Sequence, residues 1–116
     1  MFLQLAHTRT PVFQVSKKFM LECCRITKDF PADERPVMVR QTRRAALSVH
    51  LNIAEACSRK SEAERKRFFE ISRGSLIEIY TAVDIACNLK YKNEEEVQLL
   101  GDYLISTFKQ LTGLIG

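Results

Sequence analysis

Few side chains in this sequence have the spacing that an enzyme active site would need. The two histidines among its 116 residues, His7 and His50, lie far apart and have no neighbouring set of zinc ligands. The sequence holds no Glu-x-x-His pair for a di-iron bundle and no glycine-rich phosphate loop. Cys24 precedes Arg25, which favours a thiolate, but nothing completes a nucleophilic dyad. We therefore predict a protein that is not an enzyme and that holds neither a metal nor a cofactor.

Basic side chains are better suited to binding a partner. The formal net charge is +4, and residues 1–60 hold 11 basic side chains against 5 acidic ones. Clustered cations on one surface bind phosphate backbones. A solvated charged surface is the alternative interpretation, because acidic residues are interleaved with the basic ones after residue 60. The predicted nucleic-acid-binding residues are Arg35, Arg40, Arg43, Arg59, Lys60, Lys66 and Arg67.

A narrow line of polar residues, here called the polar seam, follows the second predicted helix. At 100° per residue its members on that helix fall within one arc of about 80°. The seam is either a ligand-binding or catalytic cluster, or a buried network that fixes helix register or a subunit contact. The second interpretation is favoured, because buried polar groups must find partners. The seam consists of Gln41, Arg44, Ser48, Asn52, Glu55 and Arg59, with Glu78 of the third helix expected to pair with Arg44.

Four amphipathic helices are predicted to position these residues. Apolar side chains three or four apart indicate helices that begin near residues 11, 34, 62 and 93, the first three ending near 30, 57 and 90. Asp33 is expected to cap the second helix, and Ile71 to lie on the core line of the third. Short connections make consecutive helices antiparallel neighbours, which predicts an all-α up-down-up-down four-helix bundle. Residues 1–10 form an N-terminal arm, and residues 11–116 form the bundle domain.

Composition places the chain in the cytoplasm. No segment has the ~18–20 apolar residues that cross a bilayer, so no membrane partner is expected. The apolar start lacks a preceding basic region, which argues against a secretory signal. The four cysteines form no C-x-x-C pair and are expected to be reduced packing residues.

The second and third helices carry more apolar surface than one bundle can bury. A surface helix usually shows a single apolar stripe of a little over ~100°. The second half of the second helix is apolar nearly all round, apart from the polar seam. Self-association is the simplest way to cover this excess, and we predict a homo-oligomer.

Ordered motifs connect the sequence to a known family. They include Val12-Phe13-Gln14, Thr27-Lys28-Asp29-Phe30-Pro31, Gln41 to Ala46, Ser48 to Ala56 and Arg67 to Ser75. Together they resemble the bacterial four-helix-bundle proteins first read from intervening sequences in large-subunit ribosomal RNA genes. The chain has Phe13 where that family usually has Trp, and Ala56 where it often has Gly. The resemblance implies a ring-like homopentamer. A related branch of this family consists of accessory proteins of diversity-generating retroelements.

Two functions are consistent with the sequence. The first is a non-enzymatic scaffold or interaction protein that assembles as a homo-oligomer, with five copies implied by the resemblance. The alternative is a nucleic-acid-binding accessory module for RNA or DNA, for which the resemblance implies a polymerase such as a reverse transcriptase as protein partner.

Overall fold

The described chain folds into four antiparallel α-helices, of which α2 and α3 are joined by a short connection. The computed structural model describes residues 2–116; Met1, part of the predicted arm, lies outside the described residues. Residues 2–116 contain no strand, and the prediction of an all-α up-down-up-down bundle is confirmed. The helices are α1 (Pro11–Thr27), α2 (Arg40–Ser58), α3 (Glu62–Asn88) and α4 (Gln98–Ile115).

The start of α1 follows directly from local sequence. Residues Ala6–Arg9 of the arm form a 3₁₀ turn. Thr10 then caps α1, because its hydroxyl accepts a hydrogen bond from the Phe13 N–H at 3.4 Å. Pro11 occupies the first helical position, where its missing N–H costs no hydrogen bond.

The second helix starts differently from the prediction. A π-helical segment, Arg35–Val39, precedes α2, and the Arg40 N–H donates to the Arg35 carbonyl. Pro36 lies in the first turn of this segment, where a missing N–H is tolerated, and the chain makes a wider turn before regular α-helix begins. The expected Asp33 cap was wrong, because no side chain caps either the π segment or α2.

The connection between α3 and α4 is longer than predicted. Lys90 has a φ of 67°, which ends the helical path two residues after Asn88. Asn93 and Glu96 form a reciprocal pair: the Asn93 N–H donates to Glu96 at 3.0 Å, and the Glu96 N–H donates to Asn93 at 2.9 Å. This pair closes a separate turn, so α4 begins at Gln98 rather than at Asn93.

A single core joins all four helices. Its fully enclosed members include Phe19 on α1, Ile53 on α2, Leu76 on α3 and Leu111 on α4. Ile71 was expected on the core line but is 41% exposed, since the α3 face that meets the core centres on its neighbour Ser72. Each helix packs beside the next, and α4 returns beside α1, so α2 and α4 lie diagonally across the bundle.

None of the helices described for residues 2–116 is long and apolar enough to cross a membrane.

Candidate interaction surfaces

The polar seam lies in the groove between α2 and α3. The Gln41 amide donates to the Glu78 carboxylate at 3.2 Å, and the Ser48 and Ser75 hydroxyls lie 3.0 Å apart. The Asn52 amide donates to the Ser48 carbonyl and hydroxyl at 2.8 and 3.0 Å. The hydroxyls thus contact each other and an amide. The bonds between α2 and α3 hold their relative register.

The expected ion pair between Arg44 and Glu78 does not form. Both side chains line one small polar cleft of about 320 Å³, but Glu78 is taken by Gln41 one turn earlier on α2. Among the described residues, Arg44 makes no hydrogen bond and no ion pair. The seam therefore leaves one guanidinium available at its outer edge.

The fold separates the predicted nucleic-acid-binding residues into two groups. Arg35, Arg40 and Arg43 lie near the start of α2, and Arg59 and Lys60 lie at its far end. The 16 residues from Arg43 to Arg59 span about 24 Å of helix. Lys66 and Arg67, on the first turns of α3, join the second group. The bundle therefore does not present all seven side chains in one continuous patch.

Arg43 is engaged in hydrogen bonds to α1. Its Nε donates to the Thr27 hydroxyl at 3.0 Å, and its Nη2 donates to the Cys24 carbonyl at 3.3 Å. The Cys24 carbonyl belongs to the last turn of α1, where carbonyls lack helical partners. Arg43 therefore fastens the end of α1 to α2. The exposed Arg40 makes no such bond among the described contacts.

Replacing Arg43 by alanine should lower the free energy of unfolding by about 1–3 kcal/mol, because two hydrogen bonds from a charged donor are lost and the Cys24 carbonyl keeps only a 3.3 Å bond from the Thr27 hydroxyl. Denaturation in urea at a fixed subunit concentration measures this change. Arg40→Ala is the matched control and should stay within about 0.5 kcal/mol of wild type. Equal losses of stability from the two substitutions would contradict the conclusion that Arg43 fastens α1 to α2.

The bundle also concentrates positive charge in one half. The helix midpoints divide the chain into a basic half (residues 2–19, 50–75 and 107–116) and an acidic half (residues 20–49 and 76–106). The basic half holds 10 basic and 4 acidic side chains, a net +6. The acidic half holds 8 basic and 10 acidic side chains, a net −2. The basic half contains Arg59, Lys60, Lys66 and Arg67.

Within the basic half, several cations are already engaged. Arg59 pairs with Glu55 at 2.8 Å and lies 5.0 Å from the centre of the Phe68 ring. Lys66 lies 3.5 Å from Glu62. Arg67 also lies near the Phe68 ring, at 5.7 Å, and is exposed, as is Lys60. Lys60 and Arg67 are thus the two predicted cations best placed to meet a phosphate here.

The family model for 23S rRNA-intervening sequence proteins matches residues 8–113. The chain belongs to this family. Among solved structures, it is similar to a protein of unknown function from the S23 ribosomal protein family of Bacteroides thetaiotaomicron. The two chains share 23% identity with a TM-score of 0.80, over 90% of this chain and 97% of the other, which shows a common fold. A search of curated proteins gives no match.

This member of the intervening-sequence family also has a cluster that the sequence reasoning missed. The Phe13 ring lies 5.1 Å from the His7 ring and 4.4 Å from the His50 ring, measured between centroids. The His50 Nδ1 lies 2.8 Å from the Ser16 hydroxyl, which also donates to the Phe13 carbonyl. The signal available in the sequence was Ser16, a polar residue four positions after Val12 and three before Phe19, which places it on the apolar face of α1. The cluster joins the arm, α1 and α2.

The pH dependence of stability should report on this cluster. Burial, then the charges of Lys17 and His7, lower the pKa of His50 from 6.5, so the folded protein favours the neutral ring. The unfolded chain binds more protons below that value, and the free energy of unfolding should therefore fall as the pH drops through 6.5. Urea denaturation between about pH 7.5 and 5.5 tests this.

His50→Asn keeps a partner for the Ser16 hydroxyl and should flatten that slope. His7→Asn, the matched change in the arm, should retain a slope. If His50→Asn leaves the pH dependence of the free energy of unfolding unchanged, that dependence comes from groups other than His50.

Burial disfavours the thiolate form of three of the four cysteines. Residues 2–116 contain no disulfide, and burial raises the pKa of Cys23, Cys57 and Cys87, which keeps these thiols protonated near neutral pH. Within the same residues, no three His, Cys, Asp or Glu side chains are grouped as metal ligands.

Proposed function

We propose that this protein is a non-enzymatic scaffold that acts as a homo-oligomer, with five copies in a ring. The observation that carries this proposal is the large apolar surface left open on the bundle. Exposed apolar patches on a protein in water mark protein–protein contacts, and this bundle has two, on the outer side of α2 and in the groove between α3 and α4. Side chains of α2, α3 and α4 that are 42–64% exposed include Leu47, Leu51, Ile77, Tyr80 and Ile105. The number five rests on the family resemblance.

Multi-angle light scattering on the purified chain tests assembly. The subunit mass is 13.4 kDa, so a ring of five is expected at about 67 kDa, and it should persist at high salt because apolar burial holds it. A mass of one subunit at micromolar concentration would overturn the proposal.

Nucleic-acid binding, beside a polymerase partner, is the second candidate. The net charge of +6 in the basic half supports it, because a ring of identical copies repeats that charge in every subunit. The same chromatography, with absorbance recorded at 260 and 280 nm, gives the test. Nucleic acid that co-purifies at low salt and is released at high salt is expected. Clean protein absorbance at low salt, and no binding of added RNA or DNA, would count against this candidate.

A cytoplasmic location completes the proposal. Four cysteines without a disulfide in residues 2–116 suit a reducing compartment.

A further inference from the structure

The groove between α3 and α4 is lined mainly by apolar side chains. Its two adjoining cavities measure about 270 and 240 Å³ and share Tyr80, Leu104 and Ile105. Tyr80 and Ile105 are 64% and 53% exposed, so the groove meets solvent over much of its length. The apolar side chains that line this groove are Leu76, Ile77, Tyr80, Leu104, Ile105 and Phe108.

A matching apolar ridge stands on the outer side of α2. Leu47 and Leu51 are one helical turn apart and are 42% and 55% exposed. Because α2 and α4 lie diagonally across the bundle, the ridge and the α3–α4 groove open on different sides of the molecule. One copy cannot place its own ridge in its own groove. A second copy can.

We infer that the ridge of one copy docks into the α3–α4 groove of the next, an inference that rests on the proposed homo-oligomer. A twofold dimer would need one patch that is complementary to itself. Two unlike patches on one chain instead form a head-to-tail contact, which repeats around a ring when the rotation closes.

Charges beside the two surfaces set the direction of docking. Arg44, which has no partner among the described residues, precedes the ridge, and Glu55 follows it. Asp84 and Glu94 line one end of the groove, and Lys109 lines the other. Arg44 against the acidic end is attractive, whereas the reversed arrangement would place Arg44 against Lys109. Glu55 already shares Arg59, so Arg44 is the stronger determinant.

This direction has a consequence for the whole assembly. With Arg44 at the acidic end, the neighbour's α2 runs in the same sense as α4, from the level of Gly101 toward Lys109. Within one chain, α2 and α4 also run in the same sense. Neighbouring bundles therefore point the same way, as a ring requires, and their basic halves gather on one side of it.

Complementation between two variants tests the contact. The ridge variant is Leu47→Glu with Leu51→Glu, and the groove variant is Ile77→Glu with Ile105→Glu. All four positions are 42–55% exposed, so the monomer should fold, and circular dichroism checks this. Light scattering should give one subunit mass for each variant alone. An equal mixture should give two subunit masses, because one intact ridge then meets one intact groove. Leu21→Glu, on a residue 58% exposed on α1, is the matched control and should assemble as wild type does.

Each contrary result has a distinct meaning. A single-subunit mass for the wild type would refute the proposed homo-oligomer itself. If the wild type assembles, the docking contact is refuted when either variant alone still assembles, or when the mixture stays at one subunit mass.

The orientation has its own test. Arg44→Glu should raise the dissociation constant of assembly, and adding Asp84→Arg to the same chain should lower it again, since both charges are then reversed. No recovery in the double variant would refute the proposed direction.

Discussion

Reversing the charges of Lys60 and Arg67 with glutamate should weaken binding of a labelled single-stranded RNA by about tenfold to a hundredfold. The two substitutions change the net charge of the basic half from +6 to +2. Each lost phosphate contact should also lower the salt dependence, log K against log salt, by about 0.7 for a single strand. Fluorescence anisotropy at several salt concentrations measures both quantities.

The matched control reverses two exposed cations of the acidic half, Arg35→Glu and Arg40→Glu, with the same change in net charge. If the basic half carries the binding, this control should lose much less affinity. Equal losses from both variants would show that overall charge, and not this surface, governs the interaction. Assembly is checked by light scattering for each variant, so that a broken ring is not mistaken for a lost contact.

Replacing Phe19 by alanine should lower the free energy of unfolding by about 3–5 kcal/mol. Phe19 is 0% exposed and lies in the core shared by the four helices, so its removal leaves a cavity that surrounding helices fill only partly. A loss of this size is a large part of the stability of a small domain. Urea denaturation followed by circular dichroism measures it.

Leu21→Ala on the same helix is the control, because Leu21 is 58% exposed and should cost less than about 1 kcal/mol. Both variants are compared at one subunit concentration, since assembly adds to the measured stability. A similar loss in both variants would contradict the position of the core on α1.

Much of the fold was predictable because helix signals are local. The apolar spacing of α1, the proline at its first position and the short turn between α2 and α3 depend on residues within a few positions of one another. The start of α2 was not predictable in the same way. Pro36 is tolerated in the first turn of a helix, and whether the chain continues as α or π depends on how that turn packs.

Arg43 shows why the cationic surface could not be read from sequence. Its type and spacing suit a phosphate contact as well as they suit a helix clamp. Only the antiparallel approach of α1 and α2 brings the Thr27 hydroxyl and the Cys24 carbonyl within reach of it. Arg44 was expected to be paired, but the register of α2 against α3 gives Glu78 to Gln41 instead.

The sequence by itself determined the helical class, the order of the helices, the excess of apolar surface and the family, because these follow from periodicity and ordered motifs. The tertiary structure decided which apolar residues stay exposed, as Ile71 shows, which was expected on the core line and is 41% exposed. It also decided where charge accumulates. Antiparallel packing brings residues 2–19, 50–75 and 107–116 into one half, and a net charge that is spread along the chain becomes a polarity of the bundle. Such long-range neighbours have no signature in local spacing.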